Sequence, residues 1–198
     1  MTMDGQSHIV TFGYGSLVNL NTLTEPFIRA FPATLKGWRR RWLARPKVDD
    51  VPEAGVHLAF LSVARDAAQS IDGMVIFDHP RTLDVLTKRE EAYTREQLYW
   101  EDLSASDTDR SVDPCLYVNV PLPDHQGEAP HILRSYLDAV SQGFLTHFGE
   151  AGLERFKSTT ENFHFPILED RDSPIYPRPV DLSKTERSVI DTMFPAER

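Results

Sequence analysis

Apolar positions along this chain fall first into short runs and then into longer helical stripes. The run His8-Ile9-Val10-Thr11-Phe12 stops abruptly at Gly13-Tyr14-Gly15-Ser16-Leu17, which predicts a strand ending in a tight loop. A polar link, Asn19 to Thr24, leads to Pro26-Phe27-Ile28. In Ala33 to Ala44, Leu35, Trp38, Trp42 and Leu43 are interrupted by Lys36, Arg39, Arg40 and Arg41, predicting a strand with a bulge near Gly37. Val56 to Val63 and Ile71 to Phe77 read as two more strands, separated by a polar turn region, Arg65 to Ser70. Pro80 opens a helical stretch in which Leu83, Leu86, Glu90 and Tyr93 share one face. Tyr99 to Asp113 is acidic and reads as a surface excursion, Cys115 to Val120 as a strand, and Pro121 to Pro130 as a loop. Ile132, Tyr136, Val140 and Phe144 then repeat along a helix from about His131 to Phe148, with a further helical segment over Ala151 to Lys157. Ser183-Lys184-Thr185-Glu186 fits a capping box for a last helix carrying Val189, Ile190 and Met193. Asn162 to Val180, irregular but rich in prolines and aromatics, is expected to pack across the domain.

Two features of this pattern carry chemistry. Glycines flanking Tyr14 let successive N–H groups turn toward one point, an anion-sized nest, although an ordinary strand-ending turn has the same appearance. Glu90 lies on the helical stripe that faces the core, where a carboxylate costs desolvation energy unless it is paired, protonated or held for chemistry. An ion pair with an arginine such as Arg89 is the structural alternative. Glu91, about 100° further round the helix, points toward solvent.

Composition narrows the classes. A chain of 198 residues, 40% hydrophobic, is ample for one domain, residues 1–198, with a core over about 8–120 and a C-terminal extension over about 130–198. The net charge of −9 disfavours nucleic acid and anionic membrane as partners. Cys115 is the single cysteine, so no intramolecular disulfide forms, and a buried inert thiol is expected there. No secretory pattern or membrane-length apolar run is seen, which predicts a cytoplasmic protein. Within this acidic chain, Lys36 to Lys47 holds six basic residues and no acidic one. It reads as a solvated strand face paired with Asp49, Asp50 and Glu53, or as an attractor for an acidic substrate.

Several constellations fail. Val18 stands where a dinucleotide fingerprint needs its third glycine, and the loop lacks the Gly-Lys-Ser/Thr ending of a triphosphate-binding loop. Ser16 has no hydrolase elbow around it and reads as a loop hydrogen-bonder. The seven histidines show no metal-ligand spacing, so no metal and no cofactor is expected.

Tyr14-Gly15-Ser16-Leu17 ending the first strand, Leu35-Lys36-Gly37, Asp72-Gly73, and then Arg89-Glu90-Glu91-Ala92-Tyr93 in that order resemble the γ-glutamylcyclotransferase-like superfamily, including bacterial members related to the glutathione-degrading ChaC enzymes. The resemblance covers about residues 8 to 120. It implies an α+β fold, a mixed β-barrel with packed helices, here followed by a C-terminal helical extension. It also implies a small γ-glutamyl substrate cradled by Tyr14, Gly15, Ser16 and Leu17, with Tyr93 among the substrate-binding residues and Glu90 as the catalytic acid/base. Val18 and Ala92 depart from the glutathione-specific pattern. The chemistry implied is release of 5-oxoproline. A γ-glutamyl amine hydrolase or transferase, and a non-catalytic binding module of the same fold, are the alternatives.

Overall fold

A computed structural model of the chain describes residues 9–44, 56–79, 82, 85, 88, 93–105, 114–119 and 130–195. Strand β1, Ile9–Gly13, pairs antiparallel with β3, Leu58–Asp78, and parallel with β6, Cys115–Asn119. β2, Phe27–Ala44, runs antiparallel to β3 over almost its whole length, and β4, Tyr93–Gln97, pairs antiparallel with β6. β5, Leu103–Ala105, adds to the far side of β2, so the sheet runs β4-β6-β1-β3-β2-β5. Three short strands join at the margins: β7, His131–Leu133, on β3; β8, Thr160–Glu161, on β2; and β9, Ile167–Leu168, on β7.

The sheet is mixed and the fold α+β, but the expected barrel does not close: β4 and β5 end the path, and no pairing joins them among the described residues. Helix α1, Arg134–Thr159, packs against β2, β3, β7 and β8. Its first eleven residues, Arg134 to Phe144, are all buried, which explains why both apolar and polar residues there lie inside. Helix α2, Lys184–Met193, docks on α1.

The bulge expected near Gly37 is present, and its geometry organises β2. Register passes from Lys36↔Ser70 to Trp38↔Arg65, so Gly37 alone faces Asp66 to Gln69 of β3. Gly37 takes φ +78°, a conformation that side-chain-bearing residues resist. β3 thus carries three extra residues opposite Gly37, and the alternation of β2 shifts by one there, so that Ala33 and Leu35 before it and Trp38, Arg40 and Trp42 after it are all buried. The polar Arg65 to Ser70 region is thus a protruding part of one continuous 21-residue strand, not a turn between two.

Other boundaries also shift. His131 to Leu133 form a strand because His131 and Ile132 pair with β3, Ile132 and Leu133 pair with β9, and Ile132 and Leu133 are fully buried; the helix starts only at Arg134. The two helical segments predicted from His131 to Lys157 are continuous except at Gly149, which breaks α1 at φ +67°. The Tyr99 to Asp113 excursion contains β5, anchored by buried Leu98, Trp100 and Leu103; residues 106–113 lie outside the description. Tyr93 opens β4, so the helical stripe ends before it. Of the preceding helix, Val85 and Lys88 are helical and exposed. Cys115 is buried, as expected.

The C-terminal segment is tied into the core by charge. Asp170 accepts hydrogen bonds from the N–H of Ser135 at 2.7 Å and of Ile175 at 2.9 Å, and from the Ser135 hydroxyl. It caps the start of α1 from afar, where Leu133 offers no side-chain cap. Arg171 donates two bonds to Asp138, at 2.6 and 2.8 Å, and reaches Asp191 on α2 at 2.7 Å. Asn162 to Val180 therefore does pack across the body of the fold.

The capping box of α2 forms in full: Ser183 accepts from the Glu186 N–H, and the Glu186 carboxylate accepts from the Ser183 N–H at 2.7 Å. Hydrogen bonding by Ser183, its side chain first, holds the Glu186 carboxyl below its ordinary range. A folded-state pKa below the unfolded one makes this contribution complete above ~4.3 and progressively lost as pH falls through the folded value. Glu186→Gln, which keeps an acceptor but loses the charge, is accordingly expected to melt slightly lower than wild type at neutral pH and to converge with it in acid, so that its acid-unfolding curve is shallower below about pH 4.5. Identical acid limbs in the two proteins would remove the cap from the account.

Candidate active site

β1 delivers Tyr14 and Gly15 at the end of the sheet, and two 3-10 turns, Ser16–Val18 and Leu20–Thr22, carry the chain onto α1. The first turn closes with Val18 N–H to Gly15 C=O at 2.9 Å and Asn19 N–H to Ser16 C=O at 3.0 Å. Tyr14, Gly15 and Leu17 are buried, whereas Ser16 is half-buried. Neither Gly13 nor Gly15 has a positive φ, but Gly15 takes φ −119°, ψ −128°, outside the helical and extended regions, and both glycines also serve space. A Cβ at Gly13 would stand 2.5 Å from that of Leu17, and one at Gly15 would stand 3.0 Å from the Tyr136 hydroxyl and 3.6 Å from Leu61.

The loop's far end is locked. Asn19, 3% exposed, donates from Nδ2 to Ala139 C=O at 2.9 Å and to Gln142 Oε1 at 2.8 Å, while its Oδ1 accepts from the Asn21 N–H. Gln142 in turn donates to Asp181 C=O at 2.9 Å, and Thr22 bonds back to the carbonyls of Ser16 and Asn19. Gly143 makes this approach feasible: a Cβ there would meet Asn19 N at 2.6 Å and the Val18 carbonyl carbon at 2.8 Å, both backbone atoms unable to swing aside. Gly143→Ala is expected to cost about 1–3 kcal/mol through overpacking and to displace the loop. Thermal unfolding measures the first effect, and unchanged Tm together with unchanged ligand affinity would contradict the contact.

Beneath the loop lie Tyr136 and a ring of aromatics. Its ring centroid is 4.7 Å from Phe60, 4.9 Å from Tyr176 and 5.8 Å from Trp42. The Trp42 Nε1 and the Tyr176 hydroxyl are buried with no hydrogen-bond partner among the described residues. Arg40 is fully buried beside them, its guanidinium carbon 5.0 Å from the ring centres of both Phe144 and Phe156. Burial lowers its pKa to about 10, against the opposing pull of Asp72, Tyr14 and Tyr136, so it remains a cation at neutral pH. The solvated basic face expected from the sequence is therefore only partly formed: Arg39 pairs with Glu161 at the surface, but Arg40 points inward. Trp38-x-Arg40-x-Trp42 carried that signal, since alternate strand residues share a face. Asn19, Tyr136, Gly143 and Tyr176 were also missed as neighbours of the loop, because only folding brings them there.

Of the sequence-derived site residues, Tyr14 to Leu17 form one loop at the end of β1. Tyr93 is placed by its backbone on β4, beyond β6 from β1. Glu90 and Glu91 lie outside the described residues. No group of three or more His, Cys, Asp or Glu suited to a metal ion occurs among the described residues. No described helix is long and apolar enough to cross a membrane.

No protein-family model matches the chain, and no curated protein matches it in sequence. Solved structures do match in fold. A γ-glutamyl cyclotransferase is similar over 93% of this chain and 99% of its own, with TM-score 0.59 and 11% identity. An uncharacterized protein from Homo sapiens is similar over 94% and 99%, with TM-score 0.57 and 13% identity. YkqA from Bacillus subtilis is similar over 77% of this chain and 54% of its own, with TM-score 0.56 and 18% identity. The chain has the γ-glutamylcyclotransferase-like α+β fold, with the sheet left open and α1 laid against it.

Proposed function

We propose that this protein is a γ-glutamylcyclotransferase-like enzyme that releases 5-oxoproline from a small γ-glutamyl peptide or amine. The supporting observation is the tightly seated Tyr14-Gly15-Ser16-Leu17 loop at the end of β1, within a fold similar to a γ-glutamyl cyclotransferase over 93% of the chain. In the proposed reaction the substrate's α-amine attacks its own γ-carbonyl. A new C–N bond closes the five-membered lactam, and the old γ-amide C–N bond breaks. Glu90 takes a proton from the α-ammonium and returns one to the departing nitrogen. The loop holds the γ-glutamyl head, its backbone donors directed at the α-carboxylate or the developing oxyanion, and Tyr93 completes the substrate contacts. The reaction so written uses no enzyme nucleophile and no cofactor.

The test is a panel of γ-glutamyl peptides and γ-glutamyl amines incubated with the purified protein, followed by chromatography of the products. Appearance of 5-oxoproline with a stoichiometric free amine is the expected outcome. Glutamate in its place would make the protein a hydrolase, and binding without turnover would make it a binding module.

A further inference from the structure

We infer that Arg40 is a positioning residue whose buried charge makes the Tyr14-to-Leu17 loop selective for a ligand bearing a carboxylate. In terms of the proposed function, on which this inference rests, that group is the α-carboxylate of the γ-glutamyl head. Arg40 is fully buried, yet its hydrogen bonding is incomplete. Nη2 donates to Asp72 C=O at 2.6 Å, while Nε and Nη1 have no acceptor among the described residues. The nearby carboxylate of Asp72 is shared: its Oδ2 receives Nε and Nη2 of Arg155 at 3.0 and 2.9 Å, and its Oδ1 receives the Thr34 hydroxyl at 2.8 Å. The Asp72 carboxylate is thus engaged by Arg155 and Thr34, and the hydrogen bond from Arg40 goes to the Asp72 backbone carbonyl, which does not neutralise the Arg40 charge.

That charge sits close under the loop: its acceptor, the Asp72 carbonyl, is bonded to Gly73, where a Cβ would stand 2.4 Å from the Gly13 carbonyl oxygen, and two residues along β2 from Arg40, Trp42 registers with Leu61, which flanks Gly15. In a protein interior a charge acts over distances at which water would screen it. Phe144 and Phe156 cover the guanidinium, so it acts through the field it sets at the loop, not by touching the ligand. As packing alone, a buried cation is a poor choice, since an apolar side chain of similar volume avoids its desolvation.

The experiment compares wild type, Arg40→Met and Arg40→Lys on a γ-glutamyl peptide and on the same peptide with its α-carboxylate converted to a carboxamide. The carboxamide keeps the attacking amine. Arg40→Met is expected to raise KM for the acid about tenfold or more, with kcat little changed, and to leave kcat/KM for the amide within about threefold; Arg40→Lys should restore most of the preference. Equal loss on both substrates, or a wild type that does not distinguish them, overturns the inference. A second arm measures thermal stabilisation by L-glutamine and by L-glutaminamide, which differ only in the α-carboxylate. If no γ-glutamyl compound is turned over, the cyclotransferase reading fails. The Arg40 inference then stands only if glutamine stabilises wild type more than glutaminamide does and Arg40→Met abolishes the difference. Should Arg40→Met not fold, Arg40→Lys and Arg40→Gln are read by the same criterion, with the preference kept by lysine and lost by glutamine.

Discussion

Glu90→Gln is expected to lower 5-oxoproline release by about 10²- to 10⁴-fold, the usual worth of a positioned acid/base, while leaving the fold intact. Glutamine matches glutamate in shape but neither takes up nor returns the proton that lactam closure must move. A free glutamate has a pKa near ~4.3 and is a weak base at neutral pH, so the proposal requires an environment that raises it, such as the apolar helical face predicted around Leu83 and Leu86. Relieving a desolvated carboxylate also predicts that Glu90→Gln melts no lower than wild type. Glu91→Gln, at a position that helical periodicity predicts to face solvent, should keep most of the activity. A fully active Glu90→Gln enzyme, or a dead Glu91→Gln enzyme with normal stability, would move the base elsewhere. Product quantification alongside melting curves separates chemical loss from unfolding.

Asp170→Ala should be the most damaging single change to stability, at about 3–5 kcal/mol, because it strands buried donors that no nearby group replaces. Asp170, 6% exposed, is the shared acceptor for Ser135 N–H, Ser135 Oγ and Ile175 N–H. At roughly 2–4 °C per kcal/mol for a chain of this size, Tm should fall by about 6–20 °C. Asp170→Asn, which keeps one acceptor oxygen but turns an amide donor toward groups that also donate, should fall between. The same helix presents Tyr136, Ala139, Gln142 and Gly143 to the glycine loop, so loosening its start should also weaken ligand binding at temperatures well below the melt. A melting temperature within about 1 °C of wild type would show that the cap is dispensable.

Local chemistry was legible in the sequence; long-range placement was not. Gly37 announced a bulge, Ser183 to Glu186 a capping box, and the small residues after Phe12 a strand end, because each depends on neighbours only a few positions away. The continuity of β3 was hidden because Arg65 to Ser70 is polar, and polar residues facing solvent from a protruding strand look like a turn. His131 to Leu133 fit a helical stripe until pairing with β3 and β9 claimed them. Arg40 was obscured by its own neighbours: counted as a block with Lys36, Arg39 and Arg41 it suggests a wet surface, and only alternation with Trp38 and Trp42 sends it inside. The role of Asp170 could not be inferred locally, because its partner Ser135 lies 35 residues upstream. Of the candidate site, the Tyr14-to-Leu17 loop could be read directly, while Glu90 rests on helical periodicity and on the resemblance.

The long pairing of β2 with β3 also bears on the order of assembly. These strands are consecutive in the chain and register almost end to end, so they can zip from their connecting segment without first closing a large loop. β1 also adds to β3, but its other neighbour is β6, reached through Thr11↔Cys115, and the glycine loop finds its seat only after α1 arrives from beyond residue 130. During synthesis the N-terminal half therefore waits with one edge of its sheet unpaired and its buried arginine uncovered. The open edge of β1 is covered once β6 emerges, whereas the seat of the loop and the cover over Arg40 come only with Arg134–Thr159, and until β6 arrives that edge is open to mispairing.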